Sequence, residues 1–211
     1  MKLPFLILTI YFLSAFAVKA QVSISKLDVK TLPKEIKYEG RIRSAISWKD
    51  KDGSHILITS ETGVHVNKKF KHIEDGRDAE LFAYHFLMKD ETPTQIWKIY
   101  DLVQDCVLDL MASFTNDVPR VTDLNHDGIA EVWLVYKRGC FGDVSPREMK
   151  LIMYEGTKKY ALRGEEKLIM DKTYGGSYKF DEAFTQGPKE FLKFAKQLWD
   201  SNATVKIQMG H

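Results

Sequence analysis

Residues 41–48 alternate, with Ile42, Ser44, Ile46 and Trp48 on one side and Arg41, Arg43, Ala45 and Ser47 on the other. A period of two predicts a strand with one apolar face. Asp50-Lys51-Asp52-Gly53 then makes a turn, and residues 55–61 return as the second arm of a hairpin. Residues 80–88 place Phe82, Tyr84, Phe86 and Met88 on one face, and the break at 89–94, which holds Pro93, leads to a strand over 95–103. The segment 107–114 fits a strand less clearly. Strands over 118–122 and 129–137 flank a polar loop, and those over 149–155 and 158–163 flank Gly156-Thr157 as a tight connection. Weaker strand patterns cover 165–171 and 177–180.

The period changes at the end of the chain. Gly187-Pro188 opens a helix, and Phe191, Ala195 and Leu198, with Leu192 and Trp199 beside them, form an apolar stripe at helical spacing. From Ser201 the tail is expected to fray. The pattern predicts a mainly β fold, an antiparallel sheet or sandwich with one C-terminal helix, with α+β as the alternative. No linker, low-complexity stretch or internal repeat divides it.

The first twenty residues read differently. Lys2, an uncharged apolar run over 4–18 and the small residues of Val18-Lys19-Ala20 are the parts of a signal peptide. The apolar run is short for a membrane span, which needs about 20 residues. Cleavage is expected before Gln21, leaving a single domain over 21–211 that is exported to the periplasm, the cell surface or the medium. Losing Lys2 and Lys19 brings the 31 basic residues down to 29, equal to the 29 acidic ones. That balance argues against nucleic acid and against an anionic membrane surface as partners. The run Lys68-Lys69-Phe70-Lys71 reads as a solvated turn.

In an oxidising compartment Cys106 and Cys140 are most simply one disulfide. Closing so long a loop contributes about 4 kcal/mol on a chain-entropy argument. Two separate reduced cysteines are the alternative, and the spacing is not that of a Cys-x-x-Cys redox pair.

The strongest chemical signal is Asp123-Leu124-Asn125-His126-Asp127-Gly128-Ile129-Ala130-Glu131. Side-chain oxygens at alternate positions curl inward, as a hard cation with six to eight oxygen ligands requires. The expected ligands for Ca2+ are Asp123, Asn125, Asp127, the Ile129 carbonyl and Glu131, with Gly128 allowing the chain to reverse. An EF-hand would need a glutamate at the twelfth position, where this chain has Leu134. A metal-free turn closed by Asp and Asn side chains is the plain alternative. The loop and its flanking strands resemble the Asp-x-Asp-x-Asp-Gly-x-x-Asp calcium loops of FG-GAP repeats in integrin-type propellers, with Glu131 in place of the final Asp. Affinity in such a module is expected at about 10⁻⁴ to 10⁻³ M.

Other chemistry is less anchored. Asp101, Asp105 and Asp109 recur every fourth residue and could pair for glycoside hydrolysis, or simply form a solvated face. The histidines lack zinc spacing, Ser145 lacks a nucleophile elbow, and Gly175-Gly176-Ser177 lacks a phosphate-loop lysine. Trp48, Trp97 and Trp133 could stack on sugars or pack the core.

The blocks Val121-Thr122-Asp123 through Val132, Cys140-Phe141-Gly142-Asp143-Val144-Ser145-Pro146, Met149-Lys150-Leu151-Ile152-Met153 and Lys159-Tyr160-Ala161-Leu162-Arg163-Gly164 resemble a family of small exported bacterial proteins labelled surface polysaccharide biosynthesis. That resemblance implies an envelope setting and supplies no reaction. The expectation is a calcium-stabilised, non-enzymatic envelope protein that binds glycan or protein. An enzyme of surface-glycan assembly or trimming is the alternative.

Overall fold

The computed structural model describes residues 22–207. The expected signal peptide and its cleavage point lie outside them. Strands such as Arg41–Asp50 alternate a buried with a wetter face, whereas the central strands Gly53–His65, Arg77–Lys89, Glu131–Phe141 and Glu148–Glu155 are buried on both faces. β1 (Ile24–Lys26), β2 (Arg41–Asp50), β3 (Gly53–His65), β4 (Arg77–Lys89) and β5 (Thr92–Cys106) pair in sequence order as one antiparallel meander. Asp50 faces Gly53 across the β2–β3 turn, where the sequence places it.

The second sheet is less local. β6 (Asp109–Phe114), β7 (Arg120–Thr122), β8 (Glu131–Phe141), β9 (Glu148–Glu155) and β10 (Lys158–Glu165) supply most of it. β8 lies between β9 and β6, and β7 also pairs with β8. β11 (Lys167–Ile169) and β12 (Thr173–Gly175) leave to start a small third sheet, and β13 (Tyr178–Phe180) returns to the free edge of β10.

Two helices follow. Asp181 accepts a hydrogen bond from Phe184 N at 3.0 Å and starts α1 (Glu182–Gln186), a turn the apolar pattern did not announce. α2 (Lys189–Ala203) follows the predicted stripe, burying Phe191, Ala195, Leu198 and Trp199. The tail does not fray at Ser201: the helix runs to Ala203, and β14 (Thr204–Lys206) pairs in parallel with β11. Its backbone groups find partners there, which outweighs its weak apolar content. Among the described residues, no helix is long and apolar enough to cross a membrane.

The core has three layers. Leu57, Leu81, Ala83, Val132, Leu134 and Ile152 pack between the two large sheets. Trp133, Met153 and Tyr160 on the other face of the second sheet pack against Phe184, Phe191 and Trp199. Outside the first sheet, Leu27, Leu32 and Ile36 cover Ile58, Phe82 and Tyr84. Cys106 at the end of β5 and Cys140 near the end of β8 form the expected disulfide, which joins the two sheets.

Candidate calcium loop and the adjoining pocket

The loop 123–131 connects β7 to β8, and Thr122 faces Glu131 across its base. Two of its even positions take left-handed backbone, His126 at φ 60° and Gly128 at φ 86°. These reversals curl the segment, with Leu124 packed against the core while His126 and Asp127 are exposed. A side chain at 128 would be strained by that φ, so glycine is required there. The neighbouring hairpin turn holds the loop from outside. Lys51 N donates to the Gly128 carbonyl at 2.8 Å, and Ala130 N donates to Asp50 Oδ2 at 3.1 Å.

Asp50 is therefore more than a turn residue. It also accepts from Trp48 Nε1 at 3.3 Å, Asp52 N at 2.9 Å and His55 Nε2 at 2.8 Å. Burial opposes its ionisation, but the bonds from Ala130, His55 and Asp52 outweigh burial and hold its carboxyl below the usual range.

The expected ligands are placed as follows. Asp123 Oδ1 is buried and has no hydrogen-bond partner among the described residues. Asn125 Oδ1 accepts from Asp127 N at 3.2 Å, and Asp127 Oδ1 accepts from Ile129 N at 2.8 Å. The Asn125 amide donates to Asp127 Oδ2 at 3.2 Å and to Glu155 Oε1 at 2.7 Å. Glu131 is fully buried and turns back on the loop base. It accepts from the Thr122 hydroxyl at 2.6 Å, and both its oxygens lie 3.0 Å from Leu124 N. Trp133 Nε1 donates to the same hydroxyl at 2.8 Å, extending the chain into the core. Burial pushes the Glu131 carboxyl up, and the nearby Asp123 charge adds to the rise despite the bonds from Thr122 and Leu124.

The donor chemistry fits calcium. Every candidate group offers oxygen, and Asp123 presents a buried acceptor that no proton satisfies. Among the described residues, no three His, Cys, Asp or Glu side chains form a group that could hold a metal ion as they stand. Glu131 is engaged in closing the loop and Asp127 is exposed, which leaves Asp123 Oδ1 as the buried loop oxygen without a donor among the described residues. Glu155, a residue the loop motif does not contain, joins the loop through Asn125. It arrives because Glu131 and Glu155 are register partners on β8 and β9.

A pocket of ≈530 Å³ opens between the loop and α2. Thr122, Asp123 and His126 line one wall, and Glu190, Lys193 and Phe194 line the other. The helix presents these three because its stripe faces the sheet, with Phe194 tilted against Trp133 at 4.8 Å between ring centroids. The pocket offers both charges, neutral hydrogen-bonding groups and an apolar ring. Sequence spacing gave no sign of it, since its walls are about seventy residues apart in the chain.

The acidic triplet separates. Asp101 faces the other sheet and accepts from the Tyr136 hydroxyl at 2.8 Å, Arg138 Nη1 at 2.8 Å and Lys150 Nζ at 2.6 Å. Burial resists its charge, but Lys150, Tyr136 and Arg138 overcome that and hold the carboxyl below its ordinary range. Asp105 bonds Ile73 N at 3.0 Å, and Asp109 begins β6, across the chain reversal after Cys106. The three do not meet. Trp48, Trp97 and Trp133 are buried, so none offers a ring face to a sugar. No family model, curated protein or solved structure matches this chain.

Proposed function

We propose that this is an exported, calcium-stabilised envelope protein that binds glycan or protein without performing chemistry on it. The observation that carries the reading is Asp123 Oδ1, a buried acceptor without a donor among the described residues, in a curled, oxygen-rich loop. Asp123, Asn125, Asp127 and the Ile129 carbonyl would hold the ion, with Glu155 close by. Bound calcium supplies positive charge that offsets these carboxylates. Glu131 keeps the loop closed from beneath through Thr122 and Leu124.

The loop is also one wall of the pocket, so fixing the loop fixes the pocket. Phe194 offers a ring to an apolar sugar face, while Asp123, Glu190, Lys193 and Gln197 offer hydrogen bonds to hydroxyls. A thermal melt tests the metal. Calcium at tenfold excess over its Kd should stabilise the mature protein by roughly 1.4 kcal/mol relative to EDTA. A midpoint unchanged across millimolar calcium overturns the assignment.

One observation favours the enzymatic reading. Asp123 and Glu190 line the same pocket, and paired carboxylates are what glycoside hydrolysis uses. Release of reducing ends from envelope glycan, abolished by Glu190→Gln, would establish trimming. Binding without release supports the lectin-like role.

A further inference from the structure

The end of the first sheet beside the Cys106–Cys140 disulfide combines rigidity with exposed apolar surface. Between β3 and β4 the chain makes a loop over 66–76, and Val66 and Ile73 at its two shoulders are 56% and 61% exposed. Val107 and Leu108, in the reversal after β5, are 44% and 47% exposed. Val66, Ile73, Arg77 and Val107 line one depression of ≈650 Å³, so these apolar groups form a single tip. Scattered exposed apolar residues are ordinary, but a contiguous set is not.

Nothing about this tip is loosely held. Asp78 is fully buried on β4, and its Oδ2 accepts from Asn67 N at 2.7 Å and from His72 Nε2 at 2.6 Å. Its Oδ1 accepts from Asp105 N at 3.0 Å, and Asp105 in turn accepts from Ile73 N at 3.0 Å. Two residues along β4, Glu80 accepts from Asn67 Nδ2 at 3.0 Å and the Tyr100 hydroxyl at 2.6 Å, with His65 Nε2 2.9 Å from its carboxylate. Arg77 donates to the Leu108 carbonyl at 2.6 Å and ties the two halves of the tip together. Buried carboxylates thus hold apolar side chains in water in a fixed arrangement.

Charge identifies the occupant. Lys68, Lys69 and Lys71 stand at the exposed crown, while Glu74 and Asp75 lie on its far shoulder and the carboxylates of Asp78, Glu80 and Asp105 sit beneath it, turned to the loop's own N–H groups and histidines. The crown is a turn closed by Phe70 N bonding the Asn67 carbonyl. The turn expected at this run is present, but its flanks are apolar rather than solvated. Apolar side chains at a basic crown are the signature of a surface that rests in the headgroup region of an anionic bilayer. The chain-wide charge balance hides it, because attraction to a membrane is local and falls off within a Debye length.

We propose that the tip formed by the 66–76 loop and Val107-Leu108 docks the protein peripherally on an anionic lipid surface. The apolar shoulders enter the interface and the lysines meet headgroup phosphates. The test is co-sedimentation of the full mature chain with phosphatidylglycerol-containing vesicles and with pure phosphatidylcholine vesicles. The protein should pellet with the anionic vesicles at low salt and be released as salt rises. Replacing the lysines by alanine should weaken partitioning about fivefold for each one removed. The pair Val66→Asp and Ile73→Asp should lower it at least about tenfold, with the melting midpoint unchanged because both positions are exposed. Absence of pelleting overturns the proposal, as does equal pelleting of the aspartate pair. Retention by a soluble anionic polysaccharide, insensitive to that pair, also overturns it and assigns the lysines to glycan.

Discussion

Two loops of this molecule use acids in opposite ways. Beneath the loop over 66–76 lies Asp78 on β4, whose Oδ2 receives two donors from the loop and whose Oδ1 receives Asp105 N from β5. In the loop over 123–131 the acids lie within the loop itself, and Asp123 Oδ1 receives none. The first arrangement is complete with protein groups alone. The second leaves negative charge uncompensated beside Glu131, whose own carboxyl is pushed up by burial and by Asp123. A carboxylate supplied with N–H groups acts as a structural peg, whereas one deprived of them is poised for a cation.

The contrast makes its strongest claim about truncation. Asp78→Ala strips a buried acceptor from three donors and should cost about 3–5 kcal/mol in urea unfolding. Asp123→Ala in EDTA should cost less than about 1 kcal/mol, since no hydrogen bond of its Oδ1 is lost. Equal costs would erase the distinction between the two loops.

A smaller effect separates the loop's members by their response to calcium. Asp123→Asn should abolish most of the calcium-induced rise in melting midpoint. Glu155→Gln should weaken calcium binding by about tenfold, as expected of a partner that orients Asn125. Isothermal titration reads both, and a Glu155→Gln protein with unaltered affinity removes that residue from the site.

The finest distinction is in pH. Burial disfavours the Asp78 anion, yet Asn67 N, Asp105 N and His72 outweigh it, so the folded carboxyl titrates below its ordinary 3.8. Its stabilisation is complete above that value and is lost as pH falls through the lower folded value. Glu131 is raised above its ordinary 4.5, so its anion is penalised in the folded state and the penalty is relieved as pH falls toward 4.5. In calcium-free buffer, wild type should therefore gain stability relative to Glu131→Gln on descending toward pH 4.5. It should lose stability relative to Asp78→Asn below pH 3.8. Parallel curves in either pair would refute the corresponding assignment.

Much of the sheet framework is legible in the sequence because apolar and aromatic residues recur at every second position, even in strands such as β4 that are buried on both faces. β2, β3, β4, β9 and β10 follow their alternations, and the turns at Asp50–Gly53 and Gly156-Thr157 join neighbours directly. Pairings between distant segments leave no such trace. β6 lies against β8 rather than its chain neighbour, and Thr204–Lys206 finds β11 with only a short polar sequence. The loop residues 123–131 announce themselves through spacing, since one turn holds them all. Glu155 enters only through cross-strand register, and Glu190 and Lys193 only through the packing of α2. The spacing of Asp101, Asp105 and Asp109 misleads for the same reason: strand reversal and backbone twist carry them apart, with Asp105 at φ 56°.

Asp50 reaches four groups, one of them on a segment eighty positions away in the chain. That sharing constrains inheritance. A lineage that alters the β2–β3 turn disturbs the seat of Ala130 as well, so the two segments should drift together across descendants. Among relatives, whichever retain an acid at the turn should be the ones that retain the oxygen-rich loop.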